Sequence, residues 1–286
     1  MNTQPLTLIT GASEGLGKFM AFEFASRRHP LVLVALPGSP LLNVADYIRN
    51  QYQVDVHCIF EDLSTTEGCC ALHQQVKDLG LSIGYLVNNA GLGNTNPFAE
   101  KSVSFYTKQI GINVIAPTML SRLFLPDLLS HANSGILNVS SLTSYFQIPN
   151  KQVYCATKSF LLAFSKALDT EMYGTGLHVS VVCPGGMNTR LPIILATRER
   201  KGIGRWSIMD PEQVASMTVQ AFIAGKRVII PGHWNQVFLA IDRILPASLK
   251  RRMIRKQVSN AETFENNQSK SPIHSVFQLF ETPNAA

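Results

Sequence analysis

Short apolar runs rich in β-branched residues alternate along this chain with stretches of helical spacing, and that alternation constrains the fold more than any other feature. Leu6-Thr7-Leu8-Ile9-Thr10 is followed by the glycine turn Gly11-Ala12-Ser13-Glu14-Gly15-Leu16-Gly17 and then by apolar residues at helical period over 19–25. Leu31-Val32-Leu33-Val34-Ala35-Leu36 is apolar throughout, as a strand buried on both faces of a parallel sheet must be. Residues 41–51 take helical spacing after the turn signals Pro37, Gly38 and Pro40. Residues 54–60 and Ile83-Gly84-Tyr85-Leu86-Val87 read as the third and fourth strands. Strands alternating with helices predict an α/β fold, a doubly wound and mostly parallel sheet with right-handed crossovers.

The length of 286 residues and a hydrophobic content of 45% suit one large α/β domain or two small ones. The five cysteines form no C-x-x-C pair and have no histidine at metal spacing, so they read as reduced thiols of a cytosolic protein, with no metal expected. Met1-Asn2-Thr3-Gln4-Pro5 leads straight into the first strand without the pattern of a secretory signal. No apolar run is long enough to span a bilayer. The expectation is a soluble, cytoplasmic protein, or one attached at most to a membrane surface.

Two motifs carry chemistry. Glycines directly after the first strand let the backbone turn tightly and approach a pyrophosphate, whose charge faces the amides of the helix N-terminus; without a ligand the same glycines make a tight turn. Further on, Val153-Tyr154-Cys155-Ala156-Thr157-Lys158 puts a phenol and an ammonium four residues apart on one helix face. A free phenol, with a pKa of about 10, is a poor proton shuttle near neutrality unless a neighbouring positive charge stabilises its phenolate. Lys158 can supply that charge. At the end of the third strand, the carboxylate in Glu61-Asp62-Leu63 can accept from an adenine amine or cap the following helix, and both readings stay open.

These motifs stand in the order of the short-chain dehydrogenase/reductase family, which residues 5 to about 232 resemble. Thr10-Gly11-x-x-x-Gly15-x-Gly17 is similar to the family's cofactor turn and Asn88-Asn89-Ala90-Gly91 to its fourth-strand motif. Asn113, Ser141, Tyr154 and Lys158 match its catalytic set, and Pro184-Gly185 its nicotinamide-side turn. The resemblance implies a seven-stranded Rossmann sheet, an NAD(P)(H) cofactor and reversible oxidation of an alcohol to a carbonyl. It assigns to the cofactor Gly11, Ser13, Glu14, Gly15, Leu16, Gly17, Leu36, Asp62, Leu63, Asn89, Ala90, Gly91, Tyr154, Lys158, Pro184, Gly185 and Thr189. Tyr154 would be the general acid or base and Ser141 a second donor to the substrate oxygen. Lys158 would lower the pKa of Tyr154 and bond the nicotinamide ribose. Asn113 would help hold a water linking Lys158 to solvent; from the residues alone it reads as a buried structural amide. Ser140 competes with Ser141, but adjacent residues leaving a strand point opposite ways and the family spacing selects Ser141. Asn89 reads as structural, tying neighbouring strands together.

Members preferring NADP(H) usually carry a basic residue at the position of Glu14 or Leu36, and members preferring NAD(H) an aspartate at the end of the second strand. Both signatures are absent, so the choice between the two cofactors is unresolved; backbone amides or Ser39 can still meet a 2'-phosphate. For the substrate, Leu142, Tyr145, Phe146, Leu191, Ile194 and Trp206 favour a lipophilic carbonyl or alcohol, fatty-acyl, steroid-like or polyketide-like, although about half of such residues would pack against the protein instead. A small-molecule substrate and a homo-oligomer, dimer or tetramer, are the expected partners.

The domain division expected is 1–232 for the Rossmann-type domain, 233–258 for an amphipathic and basic extension and 259–286 for a disordered tail. Within 234–256, apolar residues at helical spacing precede the cluster Lys250, Arg251, Arg252, Arg255 and Lys256. This suggests either peripheral contact with anionic lipid or a helix covering an interface. That cluster accounts for much of the net charge of +6, and no recognition helix or aromatic ladder accompanies it, so no nucleic-acid partner is expected. Two function classes follow: an NAD(P)-dependent oxidoreductase, or a non-catalytic member of the fold that senses dinucleotide or binds a partner.

Overall fold

The computed structural model describes residues 5–187 and 207–246. Seven parallel strands form one sheet in the order β3-β2-β1-β4-β5-β6-β7. These are β1 (Leu6–Thr10), β2 (Leu31–Ala35), β3 (Val56–Phe60), β4 (Ile83–Asn88), β5 (Ser134–Val139), β6 (Leu177–Val182) and β7 (Val228–Ile229). The third strand begins at Val56 rather than at 54, and the last is cut to two residues because it pairs with β6 alone before Pro231.

Successive strand residues point to opposite faces, and both faces are dry. Ile9, Leu31, Leu33, Val87 and Leu137 pack under Met20 and Phe24 of α1 (Gly15–Ser26), Val44 and Ile48 of α2 (Leu41–Tyr52), and Phe222. Leu8, Val32, Val34, Leu86 and Ile136 face Leu72 and Val76 of α3 (Thr66–Asp78) together with Leu120 and Leu128. Double burial is why these strands read as unbroken apolar runs rather than as alternating ones. Each large side chain so buried stabilises the fold by roughly 1.5–3 kcal/mol.

The chain then passes through α4 (Val103–Ile110), a π-helical turn over Gly111–Ile115, α5 (Ala116–Leu123), α6 (Leu125–Leu129) and the long α7 (Gln152–Glu171). The helix expected around Asn113 is therefore interrupted: Ala116 N bonds Gly111 O in the wider register of a π turn, an irregularity that often marks a functional position. At Gly111 a Cβ would stand 2.2 Å from the Ser64 carbonyl, so this turn presses directly on the segment after β3. After the undescribed stretch, α8 spans Pro211–Ile223 and α9 His233–Ile244.

The described residues up to Leu239 belong to one compact unit, and 240–246 to a second. The first extends past the expected boundary at Gly232, because Asn235 and Leu239 are buried. The described part of the second, 240–246, completes α9 with Ile241 and Ile244 exposed. Among the described residues no helix is long and apolar enough to cross a membrane. β1 lies between β2 and β4, so the winding direction reverses there, and a crevice opens at the carboxyl ends of these two strands.

Candidate active site

The glycine turn opens that crevice. Gly11 and Gly15 take positive φ angles of +64° and +56°, a conformation costly for any residue with a Cβ. At Gly17 a Cβ would fall 2.2 Å from the Gly11 carbonyl, so the first turn of α1 sits directly on the loop. That first turn carries no acidic side chain to repel a phosphate, although exposed Glu14 precedes it. The bared backbone and the helix N-terminus fit a dinucleotide pyrophosphate. Ser13 lies within the turn half-buried, and Leu16 is buried in the core beneath it.

Asn89 holds this turn, as the structural reading of it expects. Its Nδ2 donates to the carbonyls of Thr10 at 2.9 Å and Gly11 at 3.1 Å, while its own N–H and that of Ala90 both donate to Thr10 Oγ1 at 3.0 Å. The end of β4 is thereby stitched to the end of β1.

At the end of β5 the two serines separate. Ser140 is buried and donates to the Lys158 carbonyl at 2.7 Å. Ser141 is half-buried, caps the short turn Leu142–Tyr145 by accepting from Thr143 N, and lies close enough to Tyr154 to act on its phenol. The Tyr154 ring has Gly93 against it, where a Cβ would come within 3.4 Å of the ring. Lys158 Nζ lies 5.8 Å from that ring's centre and donates to the Val139 carbonyl at 2.8 Å. Asn113 Oδ1 and Lys158 Nζ flank Gly91, 3.2 Å and 3.4 Å from a Cβ built there. The four residues expected to form the catalytic set thus lie near one another beyond the end of β5.

Asn113 is fully buried and its amide is spent at both ends. Oδ1 accepts from Leu92 N at 2.9 Å, and Nδ2 donates to Leu92 O at 2.9 Å and to Thr157 Oγ1 at 3.1 Å. The side chain pins the loop after β4 to the catalytic helix, which is the structural reading of this residue.

The electrostatics differ from the expected pattern in one respect. Burial pushes the Tyr154 phenol up, and the neighbouring Ser141 only partly offsets this. Lys158 is 4% exposed, and burial lowers its own pKa from 10.5 to about 8. Desolvation therefore outweighs the attraction on which the Tyr-Lys spacing rests.

Asp62 is half-buried. Burial works to raise its carboxyl, but hydrogen bonds from Ser64 and Lys108 outweigh this and hold it below the usual range. Its Oδ1 accepts from Ser64 N at 3.0 Å and Oδ2 from Lys108 Nζ at 3.2 Å. The cap of α3 is Thr65, which accepts from Gly68 N at 3.1 Å, so the helix-capping reading of the 61–63 carboxylate is not realised. Leu63 is a core residue. Leu36, at the end of β2, is 51% exposed, and the Ser39 hydroxyl is buried without a hydrogen-bond partner among the described residues.

Pro184 and Gly185 follow β6 at the same sheet edge, where Leu142 N donates to the Pro184 carbonyl at 2.7 Å. Of the expected substrate residues, Leu142 is buried and Tyr145 packs against Leu162, Val181 and Cys183, so both face the protein, while Phe146 is half-buried. Thr189, Leu191, Ile194, Trp206 and the basic residues 250–256 lie outside the described residues. Sequence reasoning missed Leu92, Gly93 and Thr157; the glycine pair of Gly91-Leu92-Gly93 was the signal that backbone comes close to a ring there.

Comparison with known proteins agrees with this geometry. The sequence pattern of the family described as short chain dehydrogenase matches residues 5–199. The ketoacyl reductase HetN of Nostoc sp. is 30% identical over 257 residues, 87% of this chain and 88% of that protein. The very-long-chain 3-oxoacyl-CoA reductase-B of Danio rerio is 30% identical over 190 residues, 64% of this chain and 60% of that longer protein. A short-chain dehydrogenase from Sphingobium yanoikuyae, solved in complex with NADPH, is 27% identical and superimposes with a TM-score of 0.73, covering 84% of this chain and 93% of that one. Sequence, topology and site geometry together place this chain in the short-chain dehydrogenase family, as an NAD(P)-dependent oxidoreductase acting on CH–OH and C=O groups.

Proposed function

We propose that this chain reduces a lipophilic ketone of the fatty-acyl type, with Tyr154 as general acid, Ser141 as second donor and Lys158 as the buried charge behind them. The observation that carries this reading is Ser141 next to Tyr154, with the buried Lys158 Nζ 5.8 Å from the centre of the phenol ring, at the sheet edge that also bears the glycine turn. When bound, the dinucleotide supplies the hydride. Gly11, Gly15, Gly17 and the first turn of α1 would hold its pyrophosphate, and Asp62 its adenine. Tyr154 releases its proton to the carbonyl oxygen as negative charge develops there, and Ser141 donates a second hydrogen bond to the same atom. A phenol whose pKa burial has raised stays protonated and ready to give its proton. Lys158, with its pKa lowered to about 8, is poised to return a proton to Tyr154 near neutral pH.

The ketoacyl and 3-oxoacyl-CoA relatives support an acyl substrate, and the NADPH of the Sphingobium enzyme supports NADP(H) as the working cofactor. The test is a panel of 3-oxoacyl thioesters, bulky ketones and sugars, followed by NADPH and NADH absorbance. Turnover rising with acyl chain length supports the reading. Turnover confined to small polar ketones overturns the substrate class, and cofactor binding without turnover on any substrate would favour the non-catalytic alternative.

A homo-oligomer is part of the same proposal. An open apolar hollow of about 470 Å³ lies along α7, lined by Ile110, Val114, Val153 and Phe160, with Phe160 stacked on Phe164. Light scattering of Phe160→Glu checks it, a fall to monomer mass being the expected result. The exposed Ile241 and Ile244, followed in sequence by the basic cluster, support peripheral contact with anionic lipid. Cosedimentation with acidic but not neutral vesicles at low salt is expected. Five free thiols support a reducing, cytoplasmic location.

A further inference from the structure

A fully buried amide outside the catalytic set carries one more inference. Asn235, in α9, has no solvent exposure. Its Nδ2 donates to the Pro231 carbonyl at 2.8 Å, one turn back. Its Oδ1 is buried and has no hydrogen-bond partner among the described residues. An acceptor left unmatched in a protein interior is costly, and native structures rarely keep one without a use. Leucine has the same γ-branched shape, so filling this space does not by itself call for an amide.

The amide is wedged against the turn after β6. A Cβ built on Gly185 would stand 2.7 Å from both Oδ1 and Nδ2, and 2.5 Å from the Ser207 carbonyl. The carbonyls on either side of Gly185 are already engaged: Pro184 O accepts from Leu142 N at 2.7 Å, and Gly186 O from Met209 N at 3.0 Å. The turn therefore has its carbonyls bound to neighbouring segments, while the acceptor that faces it is unused. Pro184 has no N–H, which leaves Gly185 and Gly186 as the donors of this turn.

We propose that Asn235 is a positioning residue for the nicotinamide half of the cofactor. Its Oδ1 accepts a backbone N–H of Gly185-Gly186 when the cofactor is bound, and so sets the surface on which the nicotinamide end lies. This rests on the reading of Pro184-Gly185-Gly186 as the nicotinamide-side turn.

The experiment uses the full chain and two probes, NADPH and 2'-phospho-ADP-ribose, which lacks the nicotinamide. Affinities come from calorimetry, and protection of the 183–187 backbone from hydrogen exchange. In Asn235→Leu, NADPH binding should weaken about tenfold, the worth of one hydrogen bond, while the fragment binds within about twofold of wild type. NADPH should protect the turn in the wild type and not in the variant. Equal weakening of both probes, or of neither, overturns the proposal, since a merely structural amide would not separate the two halves of one ligand. If Asn235→Leu does not fold, Asn235→Ala is held to the same split. Turn protection in the wild type that is no greater with NADPH than with the fragment would defeat the reading of the turn itself. Protection that persists in the variants would defeat the role of Asn235 alone.

Discussion

At the end of β1 the glycine turn is tied down by side chains, with Asn89 and Thr10 bonding the carbonyls of Thr10 and Gly11 and the N–H groups of Asn89 and Ala90, whereas the turn after β6 is held through its carbonyls by Leu142 N and Met209 N and faces an amide with an unused acceptor. The first arrangement is finished before any ligand arrives, so little ordering remains to be done when a pyrophosphate binds. The second leaves one partner to be made. Under the roles proposed above, the β1 end would provide a fixed anchor, and the β6 end a surface that responds to what is anchored.

The catalytic cluster sits between the two turns, and the largest expected effect comes from breaking it without touching either. Tyr154→Phe should lower kcat by about 10³-fold, within the usual worth of a general acid, and leave both cofactor affinity and stability close to wild type. Measured kcat within tenfold of wild type would remove Tyr154 from the chemistry.

Breaking the fixed anchor comes next. Asn89→Ala removes two donor bonds from the turn carbonyls of Thr10 and Gly11, and should cost about 1–3 kcal/mol in urea denaturation together with a loss of affinity for both NADPH and its nicotinamide-free fragment. A loss confined to NADPH would reverse the division of work drawn between the two turns.

Lys158 sharpens the comparison through pH. Its folded pKa of about 8 lies below the 10.5 of an unfolded lysine, so between these values the unfolded chain binds more protons and stability rises with pH. Below pH 8 the folded state carries a buried charge at a cost. Lys158→Met should therefore stabilise the cofactor-free protein by on the order of 2 kcal/mol at pH 7, an advantage that shrinks towards pH 10. Denaturation at both pH values checks this, and the variant should be inactive. A constant difference across the range would mean that the charge is not what burial penalises.

The smallest effect probes the outer rim of the fixed end. Leu36 is exposed where a basic residue would meet a 2'-phosphate, and Leu36→Arg should shift the NADPH to NADH ratio of kcat/KM about tenfold towards NADPH. An unchanged ratio would show that this side chain does not face the ribose.

The expected features that appear in the structure are those carried by local pattern. Leu31 to Ala35 is apolar at every position because both faces of β2 are buried, and no other setting explains five such residues in a row. Gly11, Gly15 and Gly17 mark a turn because a Cβ at any of them meets backbone or forces a costly φ. Tyr154 and Lys158 share a helix face by spacing alone. The choice of Ser141 over Ser140 came from the family spacing, and divergence of consecutive residues at a strand end says only that the two differ.

What the sequence could not show depends on where separate segments meet. The spacing of Tyr154 and Lys158 says that the two are neighbours, but burial at the sheet edge makes desolvation outweigh their attraction. Leu142 and Tyr145 are apolar enough for a substrate wall, yet Leu142 is buried and Tyr145 packs onto Leu162, Val181 and Cys183. Asn113 reads as a buried structural amide, and only the approach of Leu92 and Thr157 shows that it locks the loop after β4 to α7. Asn235 carries no sequence signal at all: it lies 50 residues beyond Gly185, and only the folded chain presses its amide against that turn. By itself the sequence determined the sheet, the glycine turn and the catalytic spacing, because period and backbone sterics act over a few residues. The tertiary structure decided the charge states and the unmatched acceptor, because desolvation and hydrogen-bond pairing depend on every segment that packs around a group.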